Sequence, residues 1–210
     1  MNKISNKQLV IILVTILLLA AAVLTFMLLR SPTRRLLLQR ARQAAEFGEI
    51  NYATVYNLDE VKKKDLRDAA SQALTKGGKV FFNFDTLYSD VVVGRISVNP
   101  LLVDEKDNGT LNMTLDLSQD TVAHVRQKFE QLHSKPCAAF KCNTENFGMT
   151  VTLSARLDLA ELPGKDLVAY HYDEATDTFS EIENAQCFVD NHDFVFVTTS
   201  LGGYVVVTTQ

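Results

Sequence analysis

The sequence predicts a mainly-β globular domain tethered by one N-terminal transmembrane helix. The body is expected to be α+β, an antiparallel sandwich-like arrangement of strands with two helices packed on it. Three observations point there. The stretch Leu9 to Leu29 is apolar throughout, with no charge, Gly or Pro. From Lys79 onward, short runs of β-branched and aromatic residues recur between turn formers, which is how strands read in sequence. Two segments in the body carry apolar residues at helical spacing.

As a helix rising 1.5 Å per residue, Leu9 to Leu29 is about 31 Å long, which matches a hydrocarbon core of about 30 Å. A cleaved signal peptide has a shorter apolar region, about 7 to 15 residues, ending in small residues. Ala20-Ala21-Ala22 offers such a site, but cleavage there leaves the apolar Val23 to Leu29 as a new N-terminus. An uncleaved single-pass anchor in contact with membrane lipid is therefore expected, and no lipoprotein-type Cys follows it. Lys3 and Lys7 precede the span, whereas Arg30, Arg34, Arg35, Arg40 and Arg42 follow it. Counting these charges alone puts the body inside. The rule weakens for long translocated domains, and an extracytoplasmic body is expected for reasons that lie in its C-terminal half.

The chain has 210 residues and a net charge of −4. The first thirty residues hold Lys3, Lys7 and Arg30 and no acid, so the remainder carries 18 basic against 25 acidic residues, a net charge of −7. Nucleic acid is not an expected partner of so acidic a body. The organisation reads as a short tail and anchor over 1–30, a helical stalk over 31–49 and one β-rich globular domain over 50–210.

Ser31-Pro32-Thr33 interrupts the first helix, and Leu36 to Phe47 then mixes apolar and basic residues in a helical stalk. Its arginines suit either anionic headgroups or solvent. Leu58, Val61, Leu66, Ala69, Ala70 and Leu74 form a helical stripe with Asp59 and Glu60 in its first turn and a Gly77-Gly78 stop. Strands are expected over Lys79 to Phe84 and Val91 to Val98. Asn108-Gly109, between Leu101-Leu102-Val103 and the alternating Leu111 to Leu117, is the strongest short-range hairpin signal in the sequence. A second helix starts at Ser118, a plausible N-cap, with Val122, Val125, Phe129 and Leu132 in one stripe facing the sheet. Met149 to Leu153, Leu167 to Tyr172, Phe188-Val189, Phe194 to Val197 and Tyr204 to Val207 complete the strands of a sandwich.

Chemistry is sparse. His124 and His133 lie on or at the end of the second helix without zincin spacing. His171 alternates with Tyr170 and Tyr172 and is expected to face solvent. Asp190, His192 and Asp193 are the candidate cation ligands, and a hairpin turn between Phe188-Val189 and Phe194-Val195 explains the same residues. Cys137 and Cys142 could be bridged to each other, or either one to Cys187. Alternatively, all three are small apolar core residues. No phosphate loop, dinucleotide fingerprint or nucleophile elbow occurs, so neither a cofactor nor catalysis is expected.

Leu167-Val168-Ala169-Tyr170-His171-Tyr172-Asp173, Thr176, Phe179, Phe194 to Ser200 and Tyr204-Val205-Val206 together resemble a β-sandwich module of surface proteins in Firmicutes, especially clostridia. In that module a tyrosine-rich strand turns through an Asp-x-x-Thr hairpin. Phe147 to Leu153 and Leu162 to Lys165 look like the strand and turn that lead into it. The resemblance covers about half the chain and departs at its end, where Leu201-Gly202-Gly203 follows Ser200. It implies an extracytoplasmic, non-catalytic module and carries over no functional residues.

The expected role is a membrane-anchored surface module that binds or presents an unknown protein or envelope ligand, with an open groove or exposed apolar patch. A regulatory or sensing protein acting on a membrane partner is the alternative. A hydrolase or metal-dependent enzyme would have to use Asp190, His192 and Asp193, or His171, Asp173 and Glu174.

Overall fold

The computed structural model describes residues 32–44, 50–74, 79–156, 166–183, 186–190, 193–200 and 202–209. The apolar stretch Leu9 to Leu29 lies outside them, and among the described residues no helix is long and apolar enough to cross a membrane.

The described elements run in order α1 (Pro32–Ala44), β1 (Ile50–Tyr56), β2 (Glu60–Lys62), α2 (Lys63–Leu74), β3 (Lys79–Tyr88), β4 (Val91–Val98), a 3-10 turn (Pro100–Leu102), β5 (Thr110–Asn112) and β6 (Leu115–Asp116). They continue with α3 (Gln119–Leu132), β7 (Ala138–Cys142), β8 (Asn146–Arg156), β9 (Leu167–Asp173), β10 (Thr178–Glu181), β11 (Gln186–Asp190), β12 (Asp193–Ser200) and β13 (Gly203–Thr209). The strands form a six-stranded sheet in the order β1-β3-β4-β8-β12-β11, a five-stranded sheet in the order β10-β9-β13-β7-β6, and a β2-β5 ribbon. The mainly-β expectation therefore holds, but three helices and not two belong to the body, and one strand pair, β1 with β3, is parallel and not antiparallel.

Alternation along the strands builds the core. Phe82, Phe84, Ile96, Leu153, Phe194 and Phe196 of the six-stranded sheet share one buried cluster with Phe140, Val205 and Val207 of the five-stranded sheet. The Phe140 ring centroid lies 6.1 Å from that of Phe194 and 6.3 Å from that of Phe196. Each such side chain contributes roughly 1.5–3 kcal/mol by leaving water. β1 and β3 run parallel, and a parallel pair needs a crossover. α2 is that crossover, burying Leu66 and Ala69 in the same core.

Residues 31–49 were expected to form a stalk, and α1 is indeed helical. It does not stand off from the body, however: Leu37 and Ala41 are 0 % exposed within the main core, and Arg34 pairs with Asp68 of α2 at 2.8 Å. The apolar positions that made the segment look only weakly amphipathic are a docking face for α2 and β1. On the far side of the five-stranded sheet, α3 buries Val122, Val125 and Phe129 against Ala139, Tyr172, Tyr204 and Val206, as its stripe predicts. Leu132, placed in that stripe, is 64 % exposed. Ser118 occupies the N-cap position, but its side chain makes no cap hydrogen bond and instead donates to Thr121 Oγ1 at 3.0 Å.

Two expectations fail. Leu101-Leu102 lies in the 3-10 turn and Thr110–Asn112 pairs with Glu60–Lys62, so Asn108-Gly109 is not a hairpin turn. Leu58 and Asp59 likewise precede the helix, which begins at Lys63, and Glu60 and Val61 belong to β2. Cations of α2 hold the 104–109 loop instead. Arg67 donates to the carbonyls of Asp104 and Asp107 and to Asn108 Oδ1, and the Lys63 ammonium meets Asp107 Oδ2. Asp107 is kept below its usual range by the hydrogen bond from Lys63 and by the Gly109 amide. Charge-assisted bonds from a distant helix outweigh the local turn preference.

Candidate functional site

The largest concavity among the described pockets, about 730 Å³, opens where the β3-β4 hairpin passes the edge strand β6. Gly94 permits that crossing, since a Cβ there would lie 3.2 Å from Leu115 and Leu117 side-chain carbons. A register shift pairs Thr86 with Gly94 but Leu87 with Val92, leaving Val93 as the extra residue of a bulge, the kind of irregularity that re-aims a strand. Thr86 Oγ1 then accepts a hydrogen bond from the Leu115 amide at 3.2 Å, tying the two sheets together at the mouth of the cleft.

Leu87, Val93, Leu115 and Leu117 supply an apolar floor, and Asp59, Asp116 and Asp120 supply acid around it. Asp116 is a fixed anion: one oxygen accepts from the Ser118 amide at 2.9 Å and the other from Thr121 Oγ1 at 2.6 Å. Burial pushes its carboxyl up, but the hydrogen bonds from Thr121 and Ser118, with Lys141 nearby, outweigh that and hold it below the ordinary value. With both oxygens occupied, it suits electrostatic recognition better than proton transfer.

The hairpin beside the cleft carries exposed apolar side chains at its tip. Tyr88 is 72 % exposed, Val91 43 % and Val92 37 %. The connecting Ser89 (φ 48°) and Asp90 (φ 64°) both sit in the left-handed region, a conformation that two-residue hairpin turns demand and glycine or asparagine meets most cheaply.

The outward face of the six-stranded sheet forms a second surface. Register places Tyr56, Asp85, Arg95, Ser154 and Val195 in one row across it and Thr54, Asn83, Ser97, Thr152 and Val197 in the next. Arg95 holds Asp85 through two bonds of 2.6 and 2.9 Å, and Ser97 donates to Asn83 at 2.8 Å. Tyr52 stands exposed near the edge of this face, its ring 5.6 Å from that of Phe81.

The residues singled out from sequence do not converge. His124 and His133 are exposed: His124 sits edge-on to Tyr204 at 5.1 Å, and His133 stacks on Phe129 at 4.6 Å. His171 points to the opposite face from Tyr170 and Tyr172, as alternation predicts, but it is half-buried over Gly203 rather than fully in solvent. Asp173 closes its own turn by accepting from the Ala175 amide and from Thr176 Oγ1. This is the Asp-x-x-Thr geometry anticipated from sequence, and these bonds hold its carboxyl low. Next to it, Asp177 accepts from the Tyr172 hydroxyl at 2.6 Å and pairs with Lys128, which fastens the β9-β10 hairpin to α3. Asp190 and Asp193 face one another at the ends of antiparallel β11 and β12, while His192 lies outside the described residues. Among the described residues no group of three or more His, Cys, Asp or Glu could hold a metal ion.

A bridge between Cys137 and Cys142 is overturned. Both thiols are buried, but five positions along an extended segment separate them by about 16 Å, against a Cα limit of about 7 Å for a disulfide. Burial pushes the Cys142 thiol up to about 11, opposed by a backbone hydrogen bond from Thr144.

No protein-family model and no curated protein matches this chain. The cleft residues come from four segments far apart in the sequence and share no motif, so pattern reading could not assemble them. The available signal was Tyr88-Ser89-Asp90-Val91-Val92 itself, an unusually apolar pair of flanks for an exposed turn.

Proposed function

We propose that the chain is a single-pass membrane protein whose globular body lies outside the cytoplasm and binds or presents a partner without catalysing a reaction. The observation that carries this reading is the cleft beside the β3-β4 hairpin. It joins an apolar floor to an anion, Asp116, that is committed to staying charged. Such a surface fits a protein segment bearing apolar side chains and positive charge, because desolvated apolar contact supplies affinity while opposite charge fixes register. The apolar Leu9 to Leu29 supports the anchor, and the likeness to clostridial surface modules supports the location.

The location is tested by fusing a reporter after Gln210, in one form active only outside the membrane and in another active only inside. Activity of the outside form is expected, and activity of the inside form would overturn the surface reading. Binding is tested by placing a photo-crosslinking residue at Leu117 in the cleft, with Tyr52 as the control site. Adducts specific to position 117 are expected, whereas identical adducts at both sites would refute the cleft as the binding surface.

One observation favours the regulatory alternative. α1 begins three residues after Leu29 and is packed into the core through Leu37 and Ala41, so a change in the body has a stiff route to the span. A partner whose activity changes on Leu37→Ala without loss of binding would support that role.

A further inference from the structure

The exposed β3-β4 tip lies at the end of the body where α1 begins, as strand pairing, chain connection and one ion pair together indicate. β1 and β3 run in the same direction, so the Tyr56 end of β1 and the Tyr88 end of β3 coincide. Only residues 75–78 connect α2 to β3, so α2 runs back against the strands with Lys63 toward the Tyr56 end. Arg34, in the first turn of α1, is bonded to Asp68 of α2 and acts on the Asp65 carboxyl, so α1 has its start at that end too. At its other end, Ala44 lines a small cleft with Tyr52.

Measured from the cleft that Ala44 and Tyr52 share, the two projections are similar in length. From Phe81, the partner of Tyr52, to Tyr88 is about 23 Å at 3.3 Å per residue. From Ala44 back to Pro32 is about 18 Å at 1.5 Å per residue. The hairpin tip and the start of α1 thus differ in reach by about 5 Å, and only Arg30 and Ser31 separate Pro32 from the last apolar residue, Leu29. From Leu29 to Pro32 is three steps, at most about 11 Å. If Leu9 to Leu29 crosses a bilayer, the hairpin tip has little room to avoid its surface.

We propose that the β3-β4 hairpin is a second membrane contact, in which Tyr88, Val91 and Val92 enter the headgroup layer of the same bilayer that Leu9 to Leu29 spans; this rests on the anchor reading above. Tyrosine is suited to that depth, with an apolar ring toward the chains and a hydroxyl toward water. The contact is apolar and not polybasic: Asp90 sits at the turn, and Asp59, Asp116 and Asp120 line the adjoining cleft. Arg34 and Arg35, on the α1 side, supply the positive charge at this end. Insertion therefore does not require anionic lipid. The body is held at two points, the span and the tip, which fixes the cleft's orientation relative to the membrane plane.

The chain contains no Trp, so single substitutions give unique fluorophores. Tyr88→Trp, Tyr52→Trp and Phe26→Trp are made in the full chain and reconstituted in phosphatidylcholine vesicles containing lipids brominated high on the acyl chain. Trp at 26 and at 88 is expected to be quenched several-fold more than Trp at 52, and emission at 88 to shift to the blue. Quenching at 26 but not at 88 overturns the tip contact and leaves the anchor standing. No quenching at 26 removes the anchor and the proposal with it. Blue-shifted but unquenched emission at 88 means protein covers the tip, and equal quenching at 88 and 52 means the body lies flat; each overturns the proposal. Unchanged thermal unfolding of Tyr88→Trp and Tyr52→Trp, both altered at exposed positions, verifies that the fold is intact.

Discussion

Replacing Leu37 with Ala decides whether α1 is part of the folded body. Its side chain is 0 % exposed and sits in the main core beside Ala53 and Leu66, so truncation removes buried methyl groups and leaves a cavity between α1, α2 and β1. Large-to-small changes of this kind cost roughly 2–5 kcal/mol. With a urea m-value on the order of 2 kcal/mol/M, the unfolding midpoint should fall by about 1–2.5 M, read by far-ultraviolet circular dichroism on the detergent-solubilised full chain. The slope should stay constant, because the same surface is exposed on unfolding. A free stalk predicts otherwise: Leu37→Ala would then act as a surface change, within about 0.5 kcal/mol. A loss below that figure would refute the packing of α1, and with it the levels from which the hairpin tip is placed near the membrane.

Four further outcomes follow from single sites. Asp177→Asn should lower the Tyr172 phenol toward its ordinary range, because the hydrogen bond to Asp177 is the leading cause that raises it; tyrosinate absorbance difference spectra read this directly. Acidification should destabilise the body. Asp107, Asp116, Asp173 and Asp177 are all held below the usual 3.8 in the fold, so their stabilisation is present above that pH and is lost as pH falls through the lower folded values. Asp65 works the other way: burial raises its carboxyl, although Arg34 draws it down, and one oxygen has no hydrogen-bond partner among the described residues. Asp65→Asn should raise neutral-pH stability in urea melts. Gly203→Ala forces a side chain into φ 75° with its Cβ 3.2 Å from His171; a cost of about 1–2 kcal/mol should appear as a drop of several degrees in Tm.

How much of this was legible depends on the distance between partners in sequence. Phe194 to Val197 and Tyr204 to Val207 announced strands through their own alternation, and Val122, Val125 and Phe129 announced a helix through theirs, because each pattern is complete within a few turns. Asn108-Gly109 misled because its fate is set by Lys63 and Arg67, about forty positions upstream. Val61 misled because one buried residue fits a helix stripe and a strand equally well. Nothing local marked the parallel pairing of Ile50–Tyr56 with β3. The cleft was invisible because Asp59, Thr86, Leu115 and Asp120 meet only after both sheets have closed.

The place of β13 within its sheet bears on how this body is made. Gly203–Thr209 lies between β9 and β7, so the five-stranded sheet is assembled around a strand translated after both of its neighbours. A nascent chain that has reached residue 200 holds β7 and β9 without their shared partner, and leaves the inner faces of Phe140 and Ala169 open. The six-stranded sheet has no such dependence on residues 203–209, since β12 is its last strand. Synthesis should therefore complete the six-stranded sheet first, at β12, and the five-stranded sheet last, at β13. Any interruption of translation between 200 and 209 would leave a half-closed sandwich with apolar side chains and strand edges displayed together, the combination that quality-control proteases and chaperones recognise.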